Sequence, residues 1–144
     1  MPIVNRIQLY TDGGSRGNPG AGAIGIVICN QNNEILHKFS DCIGHCTNNQ
    51  AEYQALIKGL DLFAKHTRGE VVSFSDSELL VKQMNGVYRI KNDILRNLFH
   101  EVNKNCTVFN RVTFQHVTRD NQRIQLADQL LNDAQNGNTI DIII

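Results

Sequence analysis

The sequence predicts an α/β fold in which a mixed sheet carries helices on its faces. Strand patterns come first in the chain, amphipathic helical patterns dominate the rest, and two short apolar segments lie between the helices. Strands joined by short turns pair antiparallel, whereas strands reached through helices pair parallel. The element order βββαβααβα therefore implies an antiparallel meander that two further strands extend into a five-stranded sheet.

The first three strands form the predicted meander. Arg6 to Thr11 alternates between apolar and polar residues, and the glycine-rich segment 13–20 is expected to break this strand as a loop. Ala23 to Ile28 is strongly apolar, and Glu34 to Ile43 returns after a turn. These short connections favour antiparallel pairing between neighbours.

Helices and two short strands make up the rest of the predicted chain. Apolar residues repeat at intervals of three and four from about 49 to 66, which predicts an amphipathic helix. Val71 to Phe74 reads as a short buried strand, and Ser75 to Glu78 is predicted to be a capping box that starts a second helix. The remaining predicted elements are a third helix around 94–102, a last strand over 112–116 and a final helix over 124–134.

Length and charge narrow the class of protein. The 144 residues suit one domain, which we expect to span 1–144 with an apolar tail at 138–144. This tail is expected either to pair as an extra strand, to dock on the core or to fray. Met1 to Tyr10 has no leader pattern, and no apolar run is long enough to span a membrane, so we expect a cytoplasmic protein. We also expect it to be a monomer. The net charge of zero argues against a large basic binding face.

The four cysteines are expected to be free thiols. Cys42 and Cys46 flank His45 at a spacing that zinc sites also use, but no second cysteine pair accompanies them. A strand would also distribute their side chains over both faces.

Four carboxylates border predicted buried elements. Asp12 follows the first strand and Asp76 ends the short buried strand, while Glu52 and Asp128 lie on the first and last helices. Each acid alone is equally well explained as a helix cap or as a charge that favours the helix dipole. Clustered carboxylates, however, repel one another and need a cation, and hard oxygen ligands select Mg²⁺ or Mn²⁺ over zinc. The four together favour a metal site.

Four motifs in order resemble those of type 1 ribonuclease H. Tyr10–Gly20 resembles that family's first-strand motif, and Thr47–Glu52 resembles its first-helix motif. Ser75–Ser77 resembles its fourth-strand motif, and Ala127–Leu130 its last-helix motif. The resemblance covers residues 7 to about 134, and it implies the ribonuclease H fold with helices on both faces of the sheet.

The resemblance also implies an activity. Asp12, Glu52, Asp76 and Asp128 would be the catalytic, metal-binding carboxylates of an endonuclease that cuts the RNA strand of RNA–DNA hybrids. The resemblance implies two bound Mg²⁺ ions, with Mn²⁺ as a substitute. One ion would activate a water for in-line attack and the other would stabilise the leaving oxygen, which yields a 5′-phosphate and a 3′-hydroxyl.

Substrate contacts are implied by two of these motifs. Asn18, Asn48 and Gln50 match positions that touch the hybrid in its minor groove, where 2′-hydroxyls are accessible. Thr47 matches a position that helps to hold a DNA-strand phosphate. The expected substrate-binding set is completed by Gly13 and Asn49.

The chain departs from the family pattern in two places. Many relatives carry a histidine in the loop before the last aspartate, and here we expect Arg119 to take that position, in an electrostatic role because arginine does not shuttle protons near neutral pH. His116 falls on a strand pattern and is expected to be a packed core residue. The connection 85–91 lacks the basic protrusion of some relatives, which implies weaker hybrid binding.

Other functions remain open from the sequence. One is a resolvase-like or integrase-like nuclease of the same fold, although the glycine segment after Asp12 argues against it. Another is a non-catalytic hybrid-binding domain, for which the loss of an acid would be the signature. A third is a carbohydrate-binding or protein-binding domain with incidental acids, which metal titration would distinguish.

Overall fold

A computed structural model describes residues 6–144. The strands are β1 (Arg6–Arg16), β2 (Gly20–Cys29), β3 (Ile35–Cys46), β4 (Glu70–Ser75), β5 (Arg111–His116) and β6 (Ile140–Ile143). The helices are α1 (Asn48–Phe63), α2 (Glu78–Met84), α3 (Asp93–Cys106) and α4 (Gln122–Gln135). Within residues 6–144, no helix is long and apolar enough to cross a membrane. The expectation about a leader concerns Met1–Tyr10, of which residues 1–5 lie outside the described part.

One mixed sheet contains all six strands, in the order β5-β4-β1-β2-β3-β6. β1, β2 and β3 form the predicted antiparallel meander, while β4 pairs parallel with β1 and β5 pairs parallel with β4. The prediction of five strands is wrong by one, because the apolar tail adds β6 antiparallel to β3. The tail was expected to pair as an extra strand, to dock on the core or to fray, and in the structure it pairs as an extra strand.

Helices cover both faces of the sheet, as predicted. Successive side chains of a strand point to opposite faces, and Leu9 and Tyr10 on β1 accordingly belong to different apolar clusters. Leu9 packs in the large core with residues of α1 and α3, whereas Tyr10 packs with residues of α4. Gly25 lets α4 approach closely, because a Cβ there would lie 1.9 Å from the carbonyl oxygen of Ala127.

The first strand is longer than predicted. The glycines after Asp12 were expected to end β1, but the strand continues to Arg16 and the turn begins only at Gly17, which has φ +86°. A Cβ on Gly13 would lie 2.1 Å from the carbonyl oxygen of Ala51 in α1. Gly13 is therefore required by the close approach of a helix and not by a turn, a distinction that local sequence does not reveal.

The second helix begins two residues later than the predicted capping box implies. Its N-cap is Ser77, whose side chain accepts a hydrogen bond from the backbone N–H of Leu80 at 3.2 Å. The Ser75 hydroxyl instead accepts from the Ser77 backbone N–H at 3.0 Å. This arrangement leaves Asp76 in the turn between β4 and α2, outside either element.

The C-terminal strand is held by its backbone and by one buried side chain. His37 of β3 is only 1% exposed, and its Nε2 lies 2.6 Å from Oδ1 of Asp141 in β6. The other ring nitrogen of His37 lies 3.0 Å from Nε2 of His66. Ile142 and Ile143, by contrast, are exposed. Among the isoleucines of β6, only Ile140 packs against an apolar cluster, so the ladder, the His37 contact and this one side chain hold β6.

Deleting residues 140–144 is expected to lower the melting temperature by several degrees. The deletion removes the β3–β6 ladder and leaves the buried His37 ring without its acceptor, which costs about 1–3 kcal/mol. In a domain of this size, 1 kcal/mol corresponds to roughly 3–5 °C. Circular dichroism melts measure the change, and Ile143→Ser is the matched control, expected to melt like the wild type. An unchanged melting curve for the deletion would contradict this account of β6.

Candidate active site

Two parallel strands bring Asp12 and Asp76 to the same edge of the sheet. The β1–β4 ladder runs to the pair Tyr10 and Phe74, and each aspartate lies two residues beyond that pair. Glu52 projects towards them from α1, and the carboxylates of Asp12, Glu52 and Asp76 offer oxygens that all lie within 4.8 Å of one another. Three acids that are remote in sequence therefore form one cluster.

Glu52 is held in place by the backbone of β1. Its Oε1 accepts a hydrogen bond of 2.6 Å from the backbone N–H of Gly13. This bond depends on the missing side chain at Gly13, because a Cβ there would collide with α1. Glu52 is 9% exposed and Asp12 is 8% exposed, so both carboxyl groups have little access to water.

Burial and mutual repulsion raise the pKa values of the three clustered acids. For Asp12, burial is the largest cause, and the charges of Glu52, Asp76 and Asp128 raise its pKa further. The pKa of Glu52 is likewise raised by burial and by Asp76, although the Gly13 hydrogen bond opposes the rise. The pKa of Asp76 is raised by burial and lowered by the nearby Arg119. Such a cluster does not ionise fully without a cation, and its hard oxygen donors suit a divalent ion.

The fourth predicted carboxylate lies at the rim. Asp128 is exposed on α4 and lines the same cavity, but it is not among the three acids within 4.8 Å of one another. Asn132, one turn later on α4, donates from Nδ2 to Oδ2 of Asp128 at 3.3 Å and to its backbone oxygen at 3.0 Å. The carboxylate of Asp128 is thereby oriented while it stays accessible from the cavity.

The predicted substrate-binding residues lie in three places. Gly13, Asn48 and Asn49 line the cavity of about 540 Å³ that contains the carboxylates. Thr47 and Gln50 form a reciprocal capping box at the start of α1. The remaining residue of the set, Asn18, accepts a hydrogen bond from the backbone N–H of Asn48 at 3.0 Å. The N-terminus of α1 thus brings Asn48 and Asn49 to the cavity, whereas Asn18, Thr47 and Gln50 are not among its lining residues.

Arg119 lies where the sequence places it. Its Nε is 3.6 Å from Oδ2 of Asp76, and its side chain lines the cavity while it stays 93% exposed to solvent. The expectation for His116 is wrong, because this residue is exposed and only its Nε2 contacts the backbone oxygen of Asp76, at 3.3 Å. His116 is the last residue of β5, which lies at the edge of the sheet.

Several cavity-lining residues were not predicted. Ser15 and Arg16 stand inside the first motif, and the spacing of Asn132 from Asp128 is the one that places two residues on the same helix face. These signals identify the positions but not their partners. The unpredicted lining residues with polar or charged side chains are Ser15, Arg16, Ser77, Gln125, Asn132 and Gln135.

Without divalent ions, the carboxylate cluster is expected to make the protein less stable as the pH rises. Below about pH 4, Asp12 and Glu52 are protonated whether the chain is folded or not. Above that pH the unfolded chain releases these protons while the folded protein retains them, so stability falls until the raised pKa values are passed. Melting temperatures at about pH 5 and about pH 8 measure the fall, which should be smaller in Asp12→Asn. A fall of equal size in both proteins would contradict the assignment.

Comparisons with known proteins agree with this geometry. A family model described as Reverse transcriptase-like matches residues 10–134. The crystal structure of RNase H1 from the archaeon Halobacterium salinarum has a TM-score of 0.87 at 35% identity and covers 92% of this chain and 99% of its own. LC11-RNase H1, solved in complex with an RNA/DNA hybrid, has a TM-score of 0.84 at 39% identity, with 91% and 97% covered.

A longer relative matches over part of its length. Bifunctional protein Rv2228c of Mycobacterium tuberculosis is 37% identical over 130 residues, which are 90% of this chain and 35% of that protein. The chain therefore spans about a third of the length of this relative.

Proposed function

Because the chain belongs to the type 1 ribonuclease H family, we propose that it is a metal-dependent endonuclease that hydrolyses the RNA strand of RNA–DNA hybrids. The observation that carries this proposal is the convergence of Asp12, Glu52 and Asp76 in an open cavity. Their buried and mutually repelling carboxyl groups are costly for the fold. A divalent cation held by these carboxylates would offset that cost. Its positive charge would also attract a negatively charged phosphodiester that binds beside it.

Asp12, Glu52, Asp76 and Asp128 are the proposed metal-binding and catalytic residues. These carboxylates would hold two Mg²⁺ ions, or Mn²⁺ in their place, which would supply Lewis-acid chemistry to the attacking water and the leaving 3′-oxygen. Gly13 orients Glu52 through its backbone N–H. The products are a 5′-phosphate and a 3′-hydroxyl.

Amide side chains at the start of α1 supply the proposed recognition of RNA. The Asn48 side-chain oxygen accepts from the Ser15 backbone N–H at 2.9 Å, and the Gln50 side-chain oxygen accepts from the Thr47 backbone N–H at 3.0 Å. Among residues 6–144, no hydrogen bond occupies the NH₂ group of either amide. Both groups therefore remain free to donate to 2′-hydroxyl oxygens or to minor-groove base acceptors. Gly13, Asn18 and Asn49 complete this proposed contact surface.

Arg119 is proposed to act on the phosphate or the departing product. Arg119→Ala is expected to reduce turnover about ten-fold, which corresponds to ~1.4 kcal/mol of lost transition-state stabilisation. The reduction is expected to be far smaller than for loss of Asp12, because an exposed cation assists the reaction but holds no metal. Steady-state cleavage of a hybrid measures it. Arg111→Ala, which removes a cation beside Arg6 and Glu70, is the control, and an unchanged turnover in Arg119→Ala would contradict this role.

The experiment that tests the proposed function is a metal titration of cleavage with analysis of the product ends. A labelled hybrid is incubated with the protein over a series of Mg²⁺ and Mn²⁺ concentrations and in EDTA. We expect cleavage only with a divalent ion, and RNA fragments that end in a 3′-hydroxyl and begin with a 5′-phosphate. A 2′,3′-cyclic phosphate would contradict the proposal. Hybrid binding without cleavage would favour a non-catalytic domain.

The same proposal includes a single domain over residues 1–144 that acts as a cytoplasmic monomer. One cavity contains all four proposed catalytic carboxylates of one chain, so no second copy is needed to complete the site. Sedimentation equilibrium of the active protein tests the monomer, and an active species of two chains would contradict it.

A further inference from the structure

We propose that Arg16 binds a phosphate of the RNA strand a few nucleotides away from the scissile bond, and that Asn136 positions it for this contact. This inference rests on the proposed function. Arg16 is the last residue of β1, the strand that carries Asp12, and its side chain lines the cavity that contains the carboxylates. With a rise of ~3.3 Å per residue, its Cα lies about 13 Å along the strand from that of Asp12.

The cations of the cavity stand on opposite sides of the acids. Among the described residues that line it, Arg16 and Arg119 are the ones with a positive charge. Arg119 follows β5 and Arg16 ends β1, and the sheet order places β4, the strand that precedes Asp76, between those two strands. A protein with zero net charge has little general attraction for a polyanion, so local cations must supply it.

Arg16 is held in place by the end of α4. Its Nη2 donates to Oδ1 of Asn136 at 2.8 Å, and Asn136 is the C-cap of that helix. The partial negative charge of a helix C-terminus favours a cation at this position. Gln135 fixes the same helix end to the sheet, because its Nε2 donates at 3.2 Å to the backbone oxygen of Ala21, the cross-strand partner of Arg16.

The geometry favours the RNA strand over the DNA strand as the partner. The scissile strand must pass over Asp12, and β1 leads directly from Asp12 to Arg16 along the wall of the same cavity. A guanidinium carries five N–H donors, and Asn136 takes one of them. The others remain available for a phosphate, whose two free oxygens match the planar donor set.

Methylphosphonate scanning tests this contact. Hybrids in which one phosphate at a time is neutral are cleaved by the wild type, Arg16→Gln and the control Arg111→Gln. We expect one RNA position at which neutralisation costs the wild type and the control several-fold in kcat/KM but costs Arg16→Gln nothing. Arg16→Gln should raise KM about ten-fold with little change in kcat, and the slope of log kcat/KM against log salt should fall by about one.

A second variant tests the positioning role. Asn136→Ala should weaken the contact with the same RNA phosphate and so raise KM for the hybrid. Asn136→Asp, which keeps the acceptor, should restore the wild-type KM. The proposal is overturned if Arg16→Gln still loses activity at every RNA position whose neutralisation slows the wild type. It is also overturned if the phosphate to which Arg16→Gln is insensitive lies on the DNA strand, or if the substitution changes kcat instead of KM. If the wild type does not cut the hybrid at all, the proposed function fails instead.

Discussion

Replacing Asp12 by asparagine is expected to abolish cleavage and to raise the melting temperature of the metal-free protein. Asp12 lies among three other carboxylates, two of which, from Glu52 and Asp76, offer oxygens within 4.8 Å of its own. The amide keeps the shape of the side chain but removes the negative charge that a divalent ion needs. Activity should therefore fall to the background of the assay.

The gain in stability has the same physical origin. Burial and the neighbouring acids raise the pKa of Asp12, so at neutral pH the folded protein is destabilised relative to an unfolded chain in which this acid ionises freely. Asparagine carries no such penalty, and we expect the melting temperature of the metal-free protein to rise by several degrees. Asp61→Asn, on the exposed face of α1, is the matched control with unchanged activity and melting. Full turnover by a folded Asp12→Asn protein would contradict the proposed metal site.

A hybrid with a short stretch of 2′-deoxynucleotides in its RNA strand is expected to resist cleavage throughout that stretch and to be cut elsewhere. The metal ions do not distinguish RNA from DNA, because both phosphodiesters offer them the same oxygens. The choice must come from groove shape and from donors such as the amide groups of Asn48 and Gln50, which we propose meet 2′-hydroxyls in the minor groove. Mapping the cut sites on a sequencing gel measures the effect.

A fully DNA duplex of the same sequence serves as the control, and we expect it to stay intact. Cleavage of that duplex at a comparable rate would contradict the ribonuclease H assignment. It would favour instead the broader class of nucleases that share this fold.

Hydrophobic periodicity predicts most of this fold because it reflects burial directly. The apolar stripe of α1 and the strand β4 both lie where their patterns place them, although in β4 only alternate residues such as Val71 and Ser73 are fully buried. The acids are also predictable, since they border buried elements and stand in four ordered motifs. What local patterns do not contain is the approach of one element to another. The local sequence predicts Gly13 to be a turn residue, although a glycine is needed there because α1 packs closely against it.

The remaining differences have the same cause. His116 alternates like a core residue, but β5 is an edge strand and its last side chain is exposed. Ser75 has the spacing of a helix cap, yet Ser77 takes that position because β4 continues to Ser75. Arg16 acquires its orientation from Asn136, which is 120 positions later in the chain. Sequence therefore identifies the chemical groups of the site more readily than the contacts that orient them.

Cleavage of one hybrid with a different label on each strand tests the central claim most directly. The protein is incubated with this hybrid in Mg²⁺ and, in parallel, in excess EDTA. We expect the RNA strand alone to be shortened, only in Mg²⁺, and we expect Asp12→Asn to leave both strands intact. Shortening of the DNA strand, or cleavage of either strand in EDTA, would contradict it.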